Sequence, residues 1–179
     1  NGIIGDFENT LMRANVLTKG TGIGFKENAK ALGAIVQGYG AFSKENEESN
    51  AQMAAGIARM QEFGVAAGTS VAIVDDLTRM MGKNQDEALA MASSIVESTS
   101  RMGISMDKVA SNFKSNFGKL VMYGENAEKV FKNLSAAAKA TSMEMSSLIA
   151  LGEKFDTFDS AADSAAKLNS VLGTQISAM

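Results

Sequence analysis

The chain contains no proline, cysteine, histidine or tryptophan. Without proline the strongest helix breaker is missing, so long helices are permitted. Without cysteine, a disulfide framework and a thiolate metal site are excluded, and no compartment is indicated. Without histidine there is no imidazole ligand and no histidine general base, which removes most nucleophilic triads. Charge of one sign is also lacking. The 17 basic and 20 acidic residues leave a net −3, which gives no electrostatic case for broad nucleic-acid binding. The longest uncharged stretches, Ala31 to Ser43 and Phe63 to Val74, fall short of the ~18 residues that indicate a membrane span.

What is present is a chain of 179 residues with 45% hydrophobic content. That content excludes wholesale disorder, and the length suits one domain or a few repeat units. Asn1 at the start and a helical pattern running on to Met179 read as an excerpt of a longer protein.

Four segments begin alike. Gly22-Ile23-Gly24-Phe25, Gly64-Val65-Ala66-Ala67, Gly103-Ile104-Ser105-Met106 and Ser142-Met143-Glu144-Met145 start 42, 39 and 39 residues apart. A second small residue sits near the middle of each: Gly40, Gly82, Gly124 and Ser160. Such residues suit corners, because glycine adopts the left-handed conformation that ends helices. The expectation is all-α: tandem helical hairpins of about 40 residues per unit, elongated or bundled. Residues 1–21 form a helical lead-in. Units follow at 22–63, 64–102 and 103–141, with a truncated unit at 142–179.

The third unit is the clearest. Met106, Val109, Ala110, Phe113, Phe117, Leu120 and Val121 fall on one helical face. Ser105 is expected to cap that helix, with Asp107 in its first turn. Ala127, Val130, Phe131, Leu134, Ala137 and Ala138 share a face of the next helix. Asn84-Gln85-Asp86-Glu87 predicts a capping box before Ala88, Met91, Ala92, Ile95 and Val96. Ser160 to Asp163 predicts another before Ala165, Leu168 and Leu172. Gly103 followed by Ile104 suits a helix end with an apolar contact after it. Val71-Ala72-Ile73-Val74 is β-leaning, but it leads into Asp75 to Met81 without a turn and is assigned to helix. The polar, acidic Ser43 to Asn50 is expected to be an extended, exposed turn of helix. Ala-rich runs such as Ala136-Ala137-Ala138 serve as close-contact surfaces or simply as strong helix formers.

Candidate sites are few, and each has a plain alternative. Gly20-Thr21-Gly22-Ile23-Gly24 resembles a phosphate loop only in its glycines. No strand precedes it and the spacing fits neither nucleotide fingerprint, so a flexible corner is preferred. Glu45, Glu47 and Glu48 are better read as a solvated helix face than as a cation site. Asp156, Asp159 and Asp163 lack calcium-loop spacing and are assigned to capping and solvation. Lys108, Lys114, Lys119, Lys129 and Lys132 make the third unit basic. A wet amphipathic face is preferred there over an acidic partner or a nucleic-acid backbone. Of the 12 methionines, Met80, Met81, Met91, Met102, Met106, Met122, Met143 and Met145 cluster near helix ends. Core packing is their default, and an adaptable interface is the alternative. No catalytic carboxylate pair or nucleophile stands out, and no cofactor, metal or catalytic residue is expected.

Phe155-Asp156-Thr157-Phe158-Asp159-Ser160-Ala161-Ala162-Asp163-Ser164-Ala165-Ala166-Lys167-Leu168-Asn169-Ser170-Val171-Leu172-Gly173 resembles a segment of the tail tape measure proteins of contractile-tailed marine phages. Gly103-Ile104-Ser105-Met106-Asp107-Lys108-Val109 is similar to their recurring helix starts, and the resemblance is best over residues 100 to 179. It implies a non-enzymatic virion component in the lumen of the phage tail, present in the host cytoplasm during assembly. Such a protein sets tail length, scaffolds the tail tube at the baseplate and leaves ahead of the DNA at ejection. The implied partners are the chain itself, with a trimer among the options, tail tube and baseplate hub proteins, and the host membrane on ejection. As one straight helix the chain would reach up to ~270 Å. The glycine corners favour pairs, so a folded or baseplate-proximal section is expected rather than a simple rod. The alternatives are a helical repeat scaffold unrelated to phage and a membrane-active helical protein. The latter is motivated by residues 31–43 and 63–74.

Overall fold

A computed structural model describes residues 7–155, with side chains to Glu153. Its helices are α1 (Glu8–Leu17), α2 (Phe25–Gly38), α3 (Glu47–Glu62), α4 (Ala67–Met81), α5 (Gln85–Arg101), α6 (Met106–Val121), α7 (Ala127–Thr141) and α8 (Met145–Phe155). A short 3-10 turn, Gly124–Asn126, precedes α7, and there is no strand among the described residues. The fold is all-α, built from helical hairpins. By contact it divides into two compact units, the first ending at Lys132 and the second starting at Asn133.

Within the first unit each helix packs mainly on the next helix and the next but one. The odd-numbered α1, α3 and α5 stack on each other, as do the even-numbered α2, α4 and α6. The long-range side-chain bonds follow the same rule. Arg13 pairs with Glu48 at 2.7 Å, and Gln85 Nε2 donates to Ser49 O at 2.7 Å. Lys132 Nζ donates to Ser94 Oγ at 2.6 Å, and Lys83 pairs with Glu125 at 3.5 Å. Each partner lies about one hairpin along the chain.

The amphipathic faces form the core. On α5, Ala88, Met91, Ala92, Ile95 and Val96 are buried as their spacing predicts, and Thr99 joins them. On α6 the buried set is Val109, Phe113, Asn116, Phe117 and Leu120. Met106, Ala110 and Val121, at the edges of that face, are half-buried. Phe113 stacks edge-on against Phe131 of α7 at 5.5 Å between centroids, and both are buried. An edge-to-face pair adds about 0.5–1.5 kcal/mol to the burial of its rings. Val71 to Val74 lie inside α4 and are helical.

Helix α3 differs from the others because it is buried on nearly all sides. Asn50, Ala51, Met53, Ala54, Ala55, Gly56, Ile57, Ala58 and Met60 are all inaccessible. This corrects the expectation for Ser43 to Asn50. Ser43 to Asn46 form a turn, closed by Asn46 N–H to Ser43 O at 3.2 Å, and α3 begins only at Glu47. Asn50 is buried because its Nδ2 donates to Ser43 O at 2.8 Å, tying the turn to the helix.

The corners follow their small residues, with two exceptions. Gly64 (φ 87) and Gly103 (φ 69) end α3 and α5 in one motif. Val65 N–H reaches back to Met60 O at 3.4 Å, and Ile104 N–H reaches Thr99 O at 3.1 Å. That six-residue closure satisfies carbonyls the helix end leaves open. Gly22, Gly82 and Gly124 are also left-handed, and so is Ser142, with φ 58. Gly40 is not a left-handed cap. Tyr39 caps α2 in extended backbone, and Gly40 instead gives its N–H to Asp75 Oδ1 at 2.8 Å, a contact a side chain at 40 would crowd. Ser105 takes the N-cap position of α6, but its side chain makes no capping bond. At α5 the capping box forms in full: Asn84 Oδ1 accepts from Glu87 N–H at 2.9 Å, and Glu87 accepts from Asn84 N–H at 3.2 Å.

In the second unit Thr141 Oγ1 donates back to Ala137 O at 2.7 Å before the turn at Ser142. Ser135, Ala138, Met145 and Ile149 are buried. The expected break at Ser160, its capping box and the continuing helix through Leu172 lie outside the described residues.

Gly64 has open space where a Cβ would stand, so Gly64→Ala tests backbone conformation alone. A left-handed alanine is expected to cost about 1–2 kcal/mol, read as a lower midpoint in chemical denaturation, with Gly64→Asn costing less.

Candidate functional site

A concave surface lies in the first unit, where α3 and α5 run side by side. It is a cleft of about 620 Å³. Gly56 faces α5 so closely that a Cβ there would stand 2.7 Å from a Leu89 methyl carbon. Ala55 and Gly56 on α3, with Ala90 and Ser93 on α5, are among the residues that line it. Leu17, Phe63 and Leu89 supply larger apolar walls, and Leu17 and Phe63 are exposed. The Arg59 guanidinium donates to Leu17 O at 2.7 Å and holds the end of α1 against α3. Around the edge stand Glu62, Asp86 and Glu97. Glu97 pairs with Arg101, whereas Glu62 and Asp86 make no ion pair among the described residues.

A second cleft, about 340 Å³, lies between α4 and α6 and is lined by Ile73, Asp76, Phe113 and Lys114. Burial pushes the Asp76 carboxyl above its usual range, and the charge of Asp75 adds to this. Lys114 and Arg79 act against it. Burial would also raise Glu128. There the hydrogen bonds from Lys132 and Ser94, with the charges of Lys132 and Lys83, overcome burial and hold the carboxyl below its usual range.

The residues singled out from the sequence do not converge on either cleft. Gly20 to Gly24 form a turn between α1 and α2, with Gly20 and Gly22 left-handed and Gly24 capping α2 through Glu27. Glu45 is exposed in the turn before α3, and Glu48 is held by Arg13. Among the described residues no group of three or more acidic side chains could hold a metal ion. Asp156, Asp159 and Asp163 lie outside them. Lys108, Lys114, Lys119 and Lys129 are exposed, and Lys132 is tied to Glu128. The methionines divide. Met91 and Met145 are core, Met81, Met102 and Met106 are half-buried, and Met80, Met122 and Met143 are exposed.

Sequence reasoning missed the buried polar residues that fix the corners. Asn28 Nδ2 donates to Thr18 Oγ1 at 2.8 Å, locking the start of α2 to the end of α1. Asp75 anchors the α2 corner through Gly40, and its hint was a carboxylate inside an apolar helix face.

Asp76 gives a test by pH. Its carboxyl is raised in the folded chain, so the stability it contributes is complete below the ordinary carboxylate range and is lost as pH rises through the folded value. Asp76→Asn is therefore expected to raise the melting temperature at pH 7 and to leave it unchanged at pH 3. An equal shift at both pH values would contradict the assignment.

Comparison with protein-family models, with curated proteins and with solved structures gave no significant match for this chain.

Proposed function

We propose that this chain is a folded, non-enzymatic section of a phage tail tape measure protein, acting through protein–protein contacts in the tail lumen and at the baseplate. The reading is supported by its resemblance over residues 100 to 179, most of whose longer matched segment lies outside the described residues. The observation that carries the structural half is the next-neighbour packing of α1 to α6, which gives a modular array of helices. Partners would be further copies of the chain, tail tube and baseplate hub proteins, and the host envelope on ejection. A repeat scaffold unrelated to phage is the second reading, because such arrays serve as protein-docking surfaces in many settings.

The membrane-active reading gains no support. Among the described residues no helix is long and apolar enough to cross a membrane. The motivating stretches commit Ala31, Leu32, Ile35, Val65, Val71, Ile73 and Val74 to the interior.

Folding changes what the residues can measure. Stacked helices sit 8–10 Å apart, so one hairpin advances an array by roughly 10 Å. The 39 residues of 64–102 would span roughly 58 Å as one straight helix. Deleting 64–102 in the phage joins Phe63 to Gly103 and keeps a glycine corner. Tails are expected to shorten by about 10 Å, and three extra copies to lengthen them by about 30 Å, in electron micrographs. A change of about 58 Å per unit would show end-to-end helices. No change in either variant would remove a ruling role for this segment.

A further inference from the structure

The smaller cleft, between α4 and α6, carries charges that the packing of the two helices does not use. Ile73 of α4 and Phe113 of α6, both buried, supply its apolar lining. Each helix adds a hydroxyl-bearing residue, Thr69 and Ser111, and each adds a charge of opposite sign, Asp76 and Lys114. The charge of Lys114 is felt at Asp76, yet among the described residues neither forms an ion pair or a side-chain hydrogen bond. The neighbouring Asp75 is already committed, accepting from Gly40 N–H at 2.8 Å and pairing with Arg79 at 3.4 Å. Asp76 is half-buried, and the attraction of Lys114 and Arg79 does not offset its burial and the repulsion of Asp75. A carboxylate kept in a cleft at the expense of stability is the arrangement of a binding group whose partner comes from outside.

We propose that the α4–α6 cleft binds a small zwitterion with an apolar side chain, of the α-amino acid type. Asp76 takes its ammonium, Lys114 takes its carboxylate, and its apolar group lies against Ile73 and Phe113. A ligand with one charge would satisfy one wall and be repelled by the other, whereas a zwitterion answers both. The ammonium gives Asp76 a charge-assisted hydrogen bond in place of the water that burial removes. Size points the same way. Ligand clefts begin at about 300 Å³, so a cleft of about 340 Å³ admits only a small molecule. The inference stands apart from the tail reading and holds equally for a repeat scaffold unrelated to phage.

Amide NMR of the 179-residue chain, titrated at neutral pH with leucine to about 20 mM, tests it. The expected result is saturable shifts at Gly68, Thr69 and Ser111 with a dissociation constant of about 1 mM, ordinary for so small a ligand in an open cleft. Isopentylamine and isocaproate each keep one charge of leucine and should bind about tenfold more weakly. Asp76→Asn should weaken leucine about tenfold while raising the melting temperature at neutral pH, so the loss is not one of folding. Lys114→Gln should weaken leucine about as much and leave isopentylamine unchanged. A chain whose shifts do not saturate, or scatter away from α4 and α6, would overturn the proposal. So would an Asp76→Asn variant that binds normally, either half-ligand binding as well as leucine, or a Lys114→Gln variant that weakens leucine and isopentylamine alike.

Discussion

Between Asn50 and Met60, α3 offers Ala51, Ala54, Ala55, Gly56 and Ala58 to neighbours on several sides, and α1, α2, α4 and α5 all pack against it. That crowding is possible only because the side chains are small. Two helices can approach closely where one presents glycine, and a bulkier residue at Gly56 would meet Leu89. The larger buried residues, Met53, Ile57 and Met60, fill the remaining space. The stacking of the hairpins in the first unit thus depends on the narrow girth of one helix.

Everything else is local. Apart from the α2 corner, which Asp75 anchors from one hairpin along, each corner is closed by nearby groups, and each cross-link reaches about one hairpin along the chain. A structure assembled from contacts of such short range behaves almost as a one-dimensional stack, in which a unit's stability is its own plus that of its interface with the next. Low contact order also favours rapid folding.

How far this was legible depended on periodicity. Helices α5 and α6 could be read almost residue by residue, because Ala88 to Val96 and Val109 to Leu120 keep one apolar face against a polar one. The capping box at Asn84 was legible for the same reason, since its partners are three residues apart. Helix α3 was not. Burial on all sides erases the single-face pattern, and its acidic start resembles a solvated surface. Gly40 looked like the other corner glycines, yet its function is set by Asp75, thirty-five residues away. The clefts were invisible because the space between two helices carries no sequence signal. Met122 was half visible. It was marked as core or interface, and only its exposure in the structure removes it from the core.

The account's central claim is that this segment works as folded helical pairs, so that its length along the chain is not its length in space. The absence of cysteine makes a clean probe available. Gly56→Cys and Leu89→Cys together place two thiols on facing helices, where a Cβ at position 56 would meet the Leu89 side chain. Mild oxidation of the purified chain carrying both substitutions, followed by mass spectrometry, reads whether α3 and α5 pair. The account predicts a disulfide within one chain in most copies. Thiols that remain free, or that join only between chains, would show that the helices do not pair and would contradict it.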